Sequence, residues 1–505
     1  MEKVLPFKFY KCIFLLGIIA FSSLSSIASS YVEYSPNLKE GMAHLAALRL
    51  KQAELIFAKE ANKHEQNIAV SYLNHYLSFF QIMIQQDKGM LSAFEKVNEL
   101  TLKKIETLPA SSPYRLFYKG SVHLQSAIVK SLFNEYLGAA WDFKIAFQEV
   151  NLNEKNFPDF ISHKKELGTL KALLGSFPPQ YNWILQAVGL EGDFNLGLKI
   201  LKKYIDQSQH EPLIEQQQAS LIYALIQLNF GKNRQAALQF YLPYAKDYQT
   251  NLMQCYVLTY IAAKSGQNNL ALKTLKAKPI GSNYVQIVYL DYIMGDLLLH
   301  QLDQNAAIWF KRYITFTKTK NANKDAYQKL SWLAWMDNDS AKFFVYHDLM
   351  QKNTKDAGSE LKLINHDLGK GVFPSKQLLE VRLLFDGGYY EKALQKMNNV
   401  SISALPSKFQ QIEYHYRLGR IFQELGKNAE AIQSYKACLT LGKDAKTYLI
   451  PNACLQLGLI YENLNYYELA KAYYEQVLNY EQVDYESSLH QKAKTHIWRL
   501  KQVKN

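Results

Sequence analysis

The chain has 505 residues, of which 48% are hydrophobic and 20% charged, and its formal net charge is +13. This composition excludes an intrinsically disordered chain, and the length exceeds what one hydrophobic core can serve, so several domains or a repeat array are expected. Four cysteines in a chain of this size exclude a disulfide-stabilised framework.

The first thirty residues have the pattern of a cleaved export signal. Three early lysines precede a ten-residue apolar run at 12–21, and the small residues Ala28 and Ser30 follow it. Ten apolar residues are too few to cross a membrane, which takes about 20. We therefore predict removal of residues 1–30, with Tyr31 first in the mature chain; cleavage after Ala28 is the alternative. The expected location is the periplasm or cell envelope of a bacterium.

The positive charge limits the class of partner. The signal itself carries about +2, so the mature chain keeps about +11. The basic residues are mostly lysines, densest at 311–329 and 492–504, and their polar neighbours favour solvated helix faces. The alternative is peripheral contact with an anionic envelope surface such as lipid head groups. Nucleic acid is not expected as a partner of an exported chain.

Residues 31–180 are predicted to form degenerate helical repeats. Two segments carry a small residue followed four positions later by an aromatic one, Ala53 with Phe57 and Ala139 with Phe143. This spacing places both side chains of each pair on one helix face.

One uncharged segment, 66–86, has the length of a membrane span. It also contains seven asparagine, glutamine and histidine side chains, each of which is costly in lipid. A helix buried inside the protein is therefore the better interpretation.

The stretch 167–201 is distinctive. A Pro-Pro pair at 178–179 is expected to end one helix, and a Gly-Asp turn at 192–193 precedes Gly197, which is expected to lie on the next helix.

Residues 181–375 are predicted to form helical-hairpin repeats, because small residues recur in the predicted second helices. The spacings from the first of them to the fifth are 39, 35, 35 and 35 residues, at Gly197, Ala236, Ala271, Ala306 and Ala341. The next small residue, Ala393, comes only after a 52-residue interval rich in turn-forming residues. A domain boundary is therefore predicted near residue 375.

Residues 376–505 contain the clearest repeat, in which two segments correspond at a constant offset of 39 residues. The corresponding pairs are Leu418 and Leu457, Gly419 and Gly458, Phe422 and Tyr461, Ala431 and Ala470, Tyr435 and Tyr474, and Leu439 and Leu478. Glycine allows a neighbouring helix to approach closely, and the aromatic side chain fills the gap toward the next pair. The last helix is expected to cap the array with Trp498 packed inward.

This pattern resembles the tetratricopeptide repeat, whose signature is Leu-Gly, an aromatic residue, then alanine and a second aromatic residue four positions later. The proline that often closes the repeat is replaced here by Lys443. The resemblance implies an all-α fold of helical hairpins that form a right-handed solenoid, here in a bacterial envelope protein.

Residues from about 40 to 205 are similar to a eukaryotic tetratricopeptide family that includes fungal inclusion-body clearance proteins of the mitochondrial outer membrane. The matching positions are Gly168, Pro178, Pro179, Gly189, Gly192, Asp193, Gly197, Leu198 and Leu201. That family brings no catalytic residues, and its members lack an export signal, so the resemblance bears on architecture.

No pattern in the sequence points to catalysis, a metal or a cofactor. No two of the twelve histidines stand four residues apart, and no phosphate-binding loop or nucleophile elbow occurs. The cysteines that remain after signal cleavage, Cys255, Cys438 and Cys454, are isolated in sequence, and the last two occupy positions expected in a packed core. We therefore predict a protein that is not an enzyme and has no cofactor.

By the same resemblance, the first helix of each pair should line a binding groove. The residues expected there are Glu413, Tyr416, Arg420, Gln423, Glu424, Leu455, Leu459, Glu462 and Asn463. Tyr416 and Arg420, with Gln456 in the next repeat, stand where chaperone-binding relatives clamp a peptide carboxylate. Arg420 remains able to form a bidentate pair with a carboxylate.

The leading functional hypothesis is an exported, non-enzymatic scaffold that binds a protein or peptide through this groove. The first alternative is a glycan-binding component of an envelope uptake complex. The second is a helical-solenoid polysaccharide lyase or hydrolase.

Overall fold

The computed structural model describes residues 32–177, 189–208, 213–231, 233–317, 323–353, 365, 368–369 and 371–503. Within these ranges the protein is built from α-helices joined by short turns, with three 3₁₀ turns and no strand. The predicted all-α helical-repeat class is therefore confirmed. The predicted export signal, Tyr31 and the Pro-Pro pair at 178–179 lie outside the described residues.

The chain divides into two compact units. The first comprises Met1–Ser265 and Asn269–Leu290, and the second Gly266–Asn268 and Asp291–Asn505. The predicted boundary near residue 375 lies inside the second unit and stays a prediction.

Helices up to the border between the units are numbered in chain order. They are α1 Pro36–Ala46, α2 Leu50–Lys63, α3 Ile68–Gln85, α4 Leu91–Ile105, α5 Pro113–Leu132, α6 Tyr136–Asn156, α7 His163–Gly175, α8 Phe194–Gln207, α9 Leu213–Phe230, α10 Arg234–Tyr241, α11 Leu252–Lys264 and α12 Asn268–Lys276.

The remaining helices lie almost entirely in the second unit. They are α13 Tyr289–Leu299, α14 Ala306–Phe316, α15 Asn323–Met336, α16 Ser340–Lys352, α17 Lys376–Asp386, α18 Tyr390–Asn398, α19 Lys408–Glu424, α20 Asn428–Leu441, α21 Leu449–Asn463, α22 Tyr467–Val477 and α23 Glu486–Val503.

A contact between a glycine of the first helix and an aromatic ring of the second recurs in both units. In α19 and α20, a Cβ on Gly419 would lie 2.7 Å from Cδ1 of Tyr435, and in α21 and α22 a Cβ on Gly458 would lie 2.4 Å from Cε1 of Tyr474. Gly41 with Phe57 and Gly295 with Phe310 repeat the arrangement. Any larger residue than glycine would push these helices apart.

A fully buried alanine precedes each of these rings by four residues, which places both side chains on the face that meets the first helix. These alanines are Ala53, Ala306, Ala431 and Ala470. The predicted role of the phased small residues is therefore confirmed at these positions.

At three places the register predicted from sequence is wrong. Ala236 is exposed and Ala237 is buried in its place, while Ala341 is exposed and Phe343 faces the core. In α6 the residue packed against Gly120 of α5 is Val150, four positions after the fully buried Ala146.

The predicted pair Ala139 and Phe143 therefore does not make the glycine contact, and Phe143 only packs at the edge of a neighbouring cluster. Consecutive small or apolar residues in these helices leave several registers compatible with the pattern.

The helices α7 and α8 approach each other closely. A Cβ on Gly197 would lie 2.3 Å from the backbone nitrogen of Ala172, and a Cβ on Gly175 only 2.0 Å from that of Phe194. Asp193 caps α8, because its carboxylate accepts a hydrogen bond from the Leu196 backbone N–H at 2.9 Å. The distinctive spacing of residues 167–201 thus has a steric cause.

The uncharged segment 66–86 forms α3, a helix buried on most of its faces. No helix within the described part of the chain is long and apolar enough to span a membrane. The interpretation of this segment as a buried helix is confirmed.

The terminal helix α23 covers the last repeat, with Leu489, Ala493 and Leu500 in the same core cluster as Tyr474. The prediction for Trp498 is wrong, because its side chain remains 46% exposed. The aromatic position is taken instead by His496, whose ring stacks on Tyr474 at 4.9 Å.

Replacing Ala431 or Ala470 with leucine should destabilise the protein by ~1–3 kcal/mol, because the added methylenes have no space between the helices. Lysine at either position should cost more, since its charge would be buried without a partner. Thermal unfolding followed by circular dichroism measures the effect. Ala429→Leu and Ala472→Leu are matched controls on the exposed faces of the same helices. Equal unfolding temperatures for core and control variants would contradict the packing described.

A buried histidine gives the first unit a dependence on pH. His75 of α3 is fully buried, with its ring 5.3 Å from that of Phe94. Burial lowers its pKa to about 4, although the neighbouring amides of Gln125 and Asn98 act in the opposite direction. The folded protein therefore holds this imidazole neutral at pH values where the unfolded chain binds a proton.

From this pKa, His75 does not lower the free energy of unfolding above pH 6.5. As the pH falls toward 4, the unfolded chain binds a proton that the folded protein does not, and the free energy of unfolding decreases by on the order of 3 kcal/mol. A His75→Leu variant should lose this part of the pH dependence. Chemical denaturation of both proteins at pH 7 and pH 4.5 measures it. The same loss of stability in the variant would show that other groups cause the acid sensitivity.

Candidate protein-binding face of the second unit

In the second unit, the first helices of successive pairs form one continuous layer. Helix α15 contacts α17, α17 contacts α19, and α19 contacts α21. The last first helix, α21, contacts the terminal helix α23. The second helices α16, α18, α20 and α22 each pack mainly on their own first helix. Side chains of the first helices on the face away from the second helices are therefore brought together along the unit.

Cations and aromatic rings alternate along this layer. The Lys329 ammonium lies 5.8 Å from the ring centroid of Tyr292 on α13 and 5.6 Å from that of Trp332. The Arg382 guanidinium on α17 lies 5.1 Å from the same Trp332 ring. Three successive first helices are thus joined by cation–π contacts.

The series continues onto α19, where the Arg420 guanidinium lies 5.0 Å from the Phe385 ring of α17. We call Tyr292, Lys329, Trp332, Arg382, Phe385 and Arg420 the cation–aromatic ladder. All six side chains are half-buried. Each is therefore accessible to a partner and held in place by its neighbours.

The arginines of this region differ in whether they form hydrogen bonds with neighbouring carboxylates. Arg417 donates Nε–H and Nη2–H to the Glu413 carboxylate at 3.1 and 3.0 Å and is nearly buried. Arg420 stands 3.7 Å from Glu424, beyond hydrogen-bond distance, and its Nε–H has no hydrogen-bond partner. Arg417 is thus occupied by its own helix, whereas Arg420 makes no close ion pair, although its Nε–H is itself buried.

Arg420 keeps its charge in this setting. Burial acts to lower the pKa of its guanidinium, but the nearby hydroxyls of Tyr416 and Tyr435 and the Glu424 carboxylate raise it by more. The pKa therefore stands above its usual value, and the side chain is a permanent cation.

The family model described as tetratricopeptide repeat matches residues 412–443 and 451–484, which contain most of the pairs α19 with α20 and α21 with α22. Two tetratricopeptide repeats lie here. No curated protein matches the chain. Among solved structures, the apo form of the quorum sensor NprR from B. thuringiensis is similar to it, with 13% identity, 80% of this chain and 97% of that chain covered, and a TM-score of 0.29.

Two of the residues expected to line the groove of these tetratricopeptide repeats are buried. Tyr416 is only 4% exposed and packs against the Tyr435 ring, and Leu455 is 2% exposed within the core cluster. The expectation that they face a partner is therefore wrong. Each first helix packs against its own second helix and against the first helices on both sides, so its exposed face is narrower than the sequence pattern suggests.

Two further groove residues serve the repeat itself. Gln423 accepts a hydrogen bond from the Tyr435 hydroxyl at 2.7 Å, and its counterpart Glu462 accepts one from the Tyr474 hydroxyl at 2.6 Å. Glu462 also accepts a hydrogen bond from His496 Nδ1 at 2.8 Å. These side chains satisfy the polar end of each buried tyrosine.

The remaining predicted residues lie at or near the surface. Glu424 and Asn463 are exposed, whereas Leu459 and Gln456 are half-buried, with Leu459 packed against the core. Of the predicted set, Arg420 alone belongs to the ladder.

The other five members of the ladder were not predicted from the sequence: Tyr292, Lys329, Trp332, Arg382 and Phe385. Arg382 precedes Arg420 by 38 residues, the same spacing that separates Ala393 from Ala431, so alignment of the third repeat would have found it. The aromatic members could not be found in that way, because they stand at different positions of their repeats.

Two kinds of group bear on possible chemistry, namely clustered metal ligands and free thiols. No group of three or more histidine, cysteine, aspartate or glutamate side chains in the described ranges could hold a metal ion. Cys438 and Cys454 are fully buried, as predicted, and burial raises the pKa of each thiol to about 12. These thiols are therefore protonated and inert at neutral pH.

Proposed function

We propose that the protein is a non-enzymatic scaffold that binds a protein partner through the cation–aromatic ladder of its second unit. The observation that carries this proposal is the half-buried guanidinium of Arg420, which lies 5.0 Å from the Phe385 ring centroid and stands 3.7 Å from its acidic neighbour Glu424, beyond hydrogen-bond distance. Arginine and large aromatic side chains supply most of the anchoring energy in protein interfaces. Here they stand side by side along a layer of helices.

The ladder favours an extended segment with carboxylate and apolar side chains. Arg382 and Arg420 offer planar donors that match a carboxylate, and the faces of Trp332 and Phe385 offer apolar area. Each arginine already lies over a ring, so little rotamer freedom remains to be lost when a ligand binds.

The test is a displayed peptide library selected against the full chain, followed by titration of the enriched peptides. Enrichment of acidic sequences is expected. Arg382→Ala with Arg420→Ala should weaken binding ~100–10,000-fold, since each lost charged hydrogen bond costs about 1.5–3 kcal/mol and two are lost.

Lys436→Ala is the matched control, because Lys436 is an exposed cation on the second helix α20 of the same repeat. Replacing both arginines with lysine should restore only part of the affinity, because lysine lacks the planar donor pair. Enriched peptides that bind the double alanine variant as tightly as the natural protein would exclude the ladder as the binding face.

We also propose that the scaffold acts outside the cytoplasm, in the periplasm or envelope of a bacterium. Support comes from the lysine-flanked apolar run at 12–21 and the small residues after it. N-terminal sequencing of the protein from its host should begin at Tyr31, or at Ser29 if cleavage follows Ala28. An intact Met1 in a cytosolic fraction would contradict export and leave the binding proposal untouched.

A further inference from the structure

The helix α6 of the first unit carries apolar side chains on two opposite faces. Its inward face packs on α5 and α7 through buried residues that include Ala146 and Val150. On its outward face, Leu137 is 89% exposed, Trp141 64% and Leu152 44%. A helix that is apolar on both sides is expected to be covered on both sides.

The outward residues form one stripe. At 3.6 residues per turn, Leu137, Trp141 and Leu152 fall within an arc of about 60°, and the half-buried Ile145 lies close to its edge. One exposed polar residue, the uncharged Gln148, falls within the same arc. The buried residues of α6 centre on the opposite side of the helix. The stripe is thus a ridge that projects from the unit, as far from its core as the helix allows.

The charges near this stripe are of one sign. Lys144 and Lys155 lie along one edge, and the Lys144 ammonium is 5.8 Å from the Trp141 ring centroid. Neither lysine has an acidic partner among the described residues. Both side chains are long enough to reach past the apolar residues beside them.

The acidic side chains of α6 are neutralised by neighbouring helices. Glu149 is paired with Lys119 of α5 at 3.0 Å, and Glu154 with Lys164 of α7 at 2.5 Å. Asp142 is buried and accepts hydrogen bonds from His123, Ser126 and Lys130. Glu135, at the start of the helix, lies on the inward half. The face presented outward is therefore mainly apolar, with no acidic side chain of α6 on it and a positive edge.

We propose that this face of α6 docks on the surface of an anionic lipid bilayer. Tryptophan and leucine on one side of a helix, flanked by unpaired lysines, match the boundary between acyl chains and anionic head groups. A fluid surface accepts a projecting ridge without a complementary groove, whereas a protein partner would have to supply one. The helix would lie along the surface, with its lysines among the head groups.

The test is flotation of the full chain, as its host produces it, with vesicles of phosphatidylglycerol and phosphatidylethanolamine, and with vesicles of phosphatidylcholine. Binding to the anionic vesicles is expected, with weaker binding to the neutral ones and at high salt. Leu137→Glu with Trp141→Glu should reduce binding at least ten-fold. Lys144→Glu with Lys155→Glu should abolish the preference for anionic lipid.

The matched control is Leu55→Glu with Leu100→Glu, which changes two leucines that are 72% and 52% exposed on other helices. This control should bind as the natural protein does, and any contribution of residues 1–30 is common to all variants. Circular dichroism melting checks that each variant is folded.

Vesicle binding that is absent in the natural protein, or unchanged in the Leu137 and Trp141 variant, would overturn the proposal. So would a concentration-dependent dimer that this variant dissociates while its vesicle binding persists, since a second copy would then cover the stripe. Peptide binding by the ladder lies in the other unit and should be unaffected, so failure of either proposal is separately visible.

Discussion

The close approach of paired helices depends on one steric fit, a bare glycine backbone against an aromatic ring. The rings opposite Gly419 and Gly458 occupy the space that any side chain would need, and a buried alanine four residues before each ring keeps the same face flat. Because the hydroxyl of each tyrosine must then be satisfied within the protein, Gln423 and Glu462 are committed to that purpose. A single packing rule thus decides which polar side chains of the first helices are available for binding.

The fold could be predicted from the sequence wherever the spacing of small and aromatic residues fits only one helix face. The spacing of Ala431 and Tyr435, repeated 39 residues later, leaves one possible helix face. In α10, Ala236 and Ala237 are adjacent, so a pattern of small residues fits either of them equally well. Only the packing of the neighbouring helix decides that Ala237 is the buried one. The position of Trp498 could not be predicted for a related reason, since hydrophobicity alone does not show whether a ring lies in the core or at its edge. Trp498 is exposed, and the ring that stacks on Tyr474 is that of His496.

The candidate site was less accessible to prediction, because it belongs to several helices at once. Arg420 follows from the position of its repeat, but its significance depends on Phe385, a residue of another helix 35 positions earlier. Burial of Tyr416 and Leu455 could not be deduced from one repeat, since it results from contact with the first helices on both sides. A sequence pattern describes a helix by itself, whereas the ladder is a property of the stacked layer.

The three cysteines of the described residues are all free and fully buried, and their burial has a consequence for their reactivity. A thiol that is protonated and shielded reacts with an oxidant or an alkylating reagent only when the surrounding helices separate. Cys255 lies in the first unit, whereas Cys438 and Cys454 lie in the two C-terminal repeats. The rate at which each thiol is modified would therefore measure how often the helices around it separate. Local unfolding of the two units can thus be followed separately, through Cys255 in the first unit and through Cys438 and Cys454 in the second.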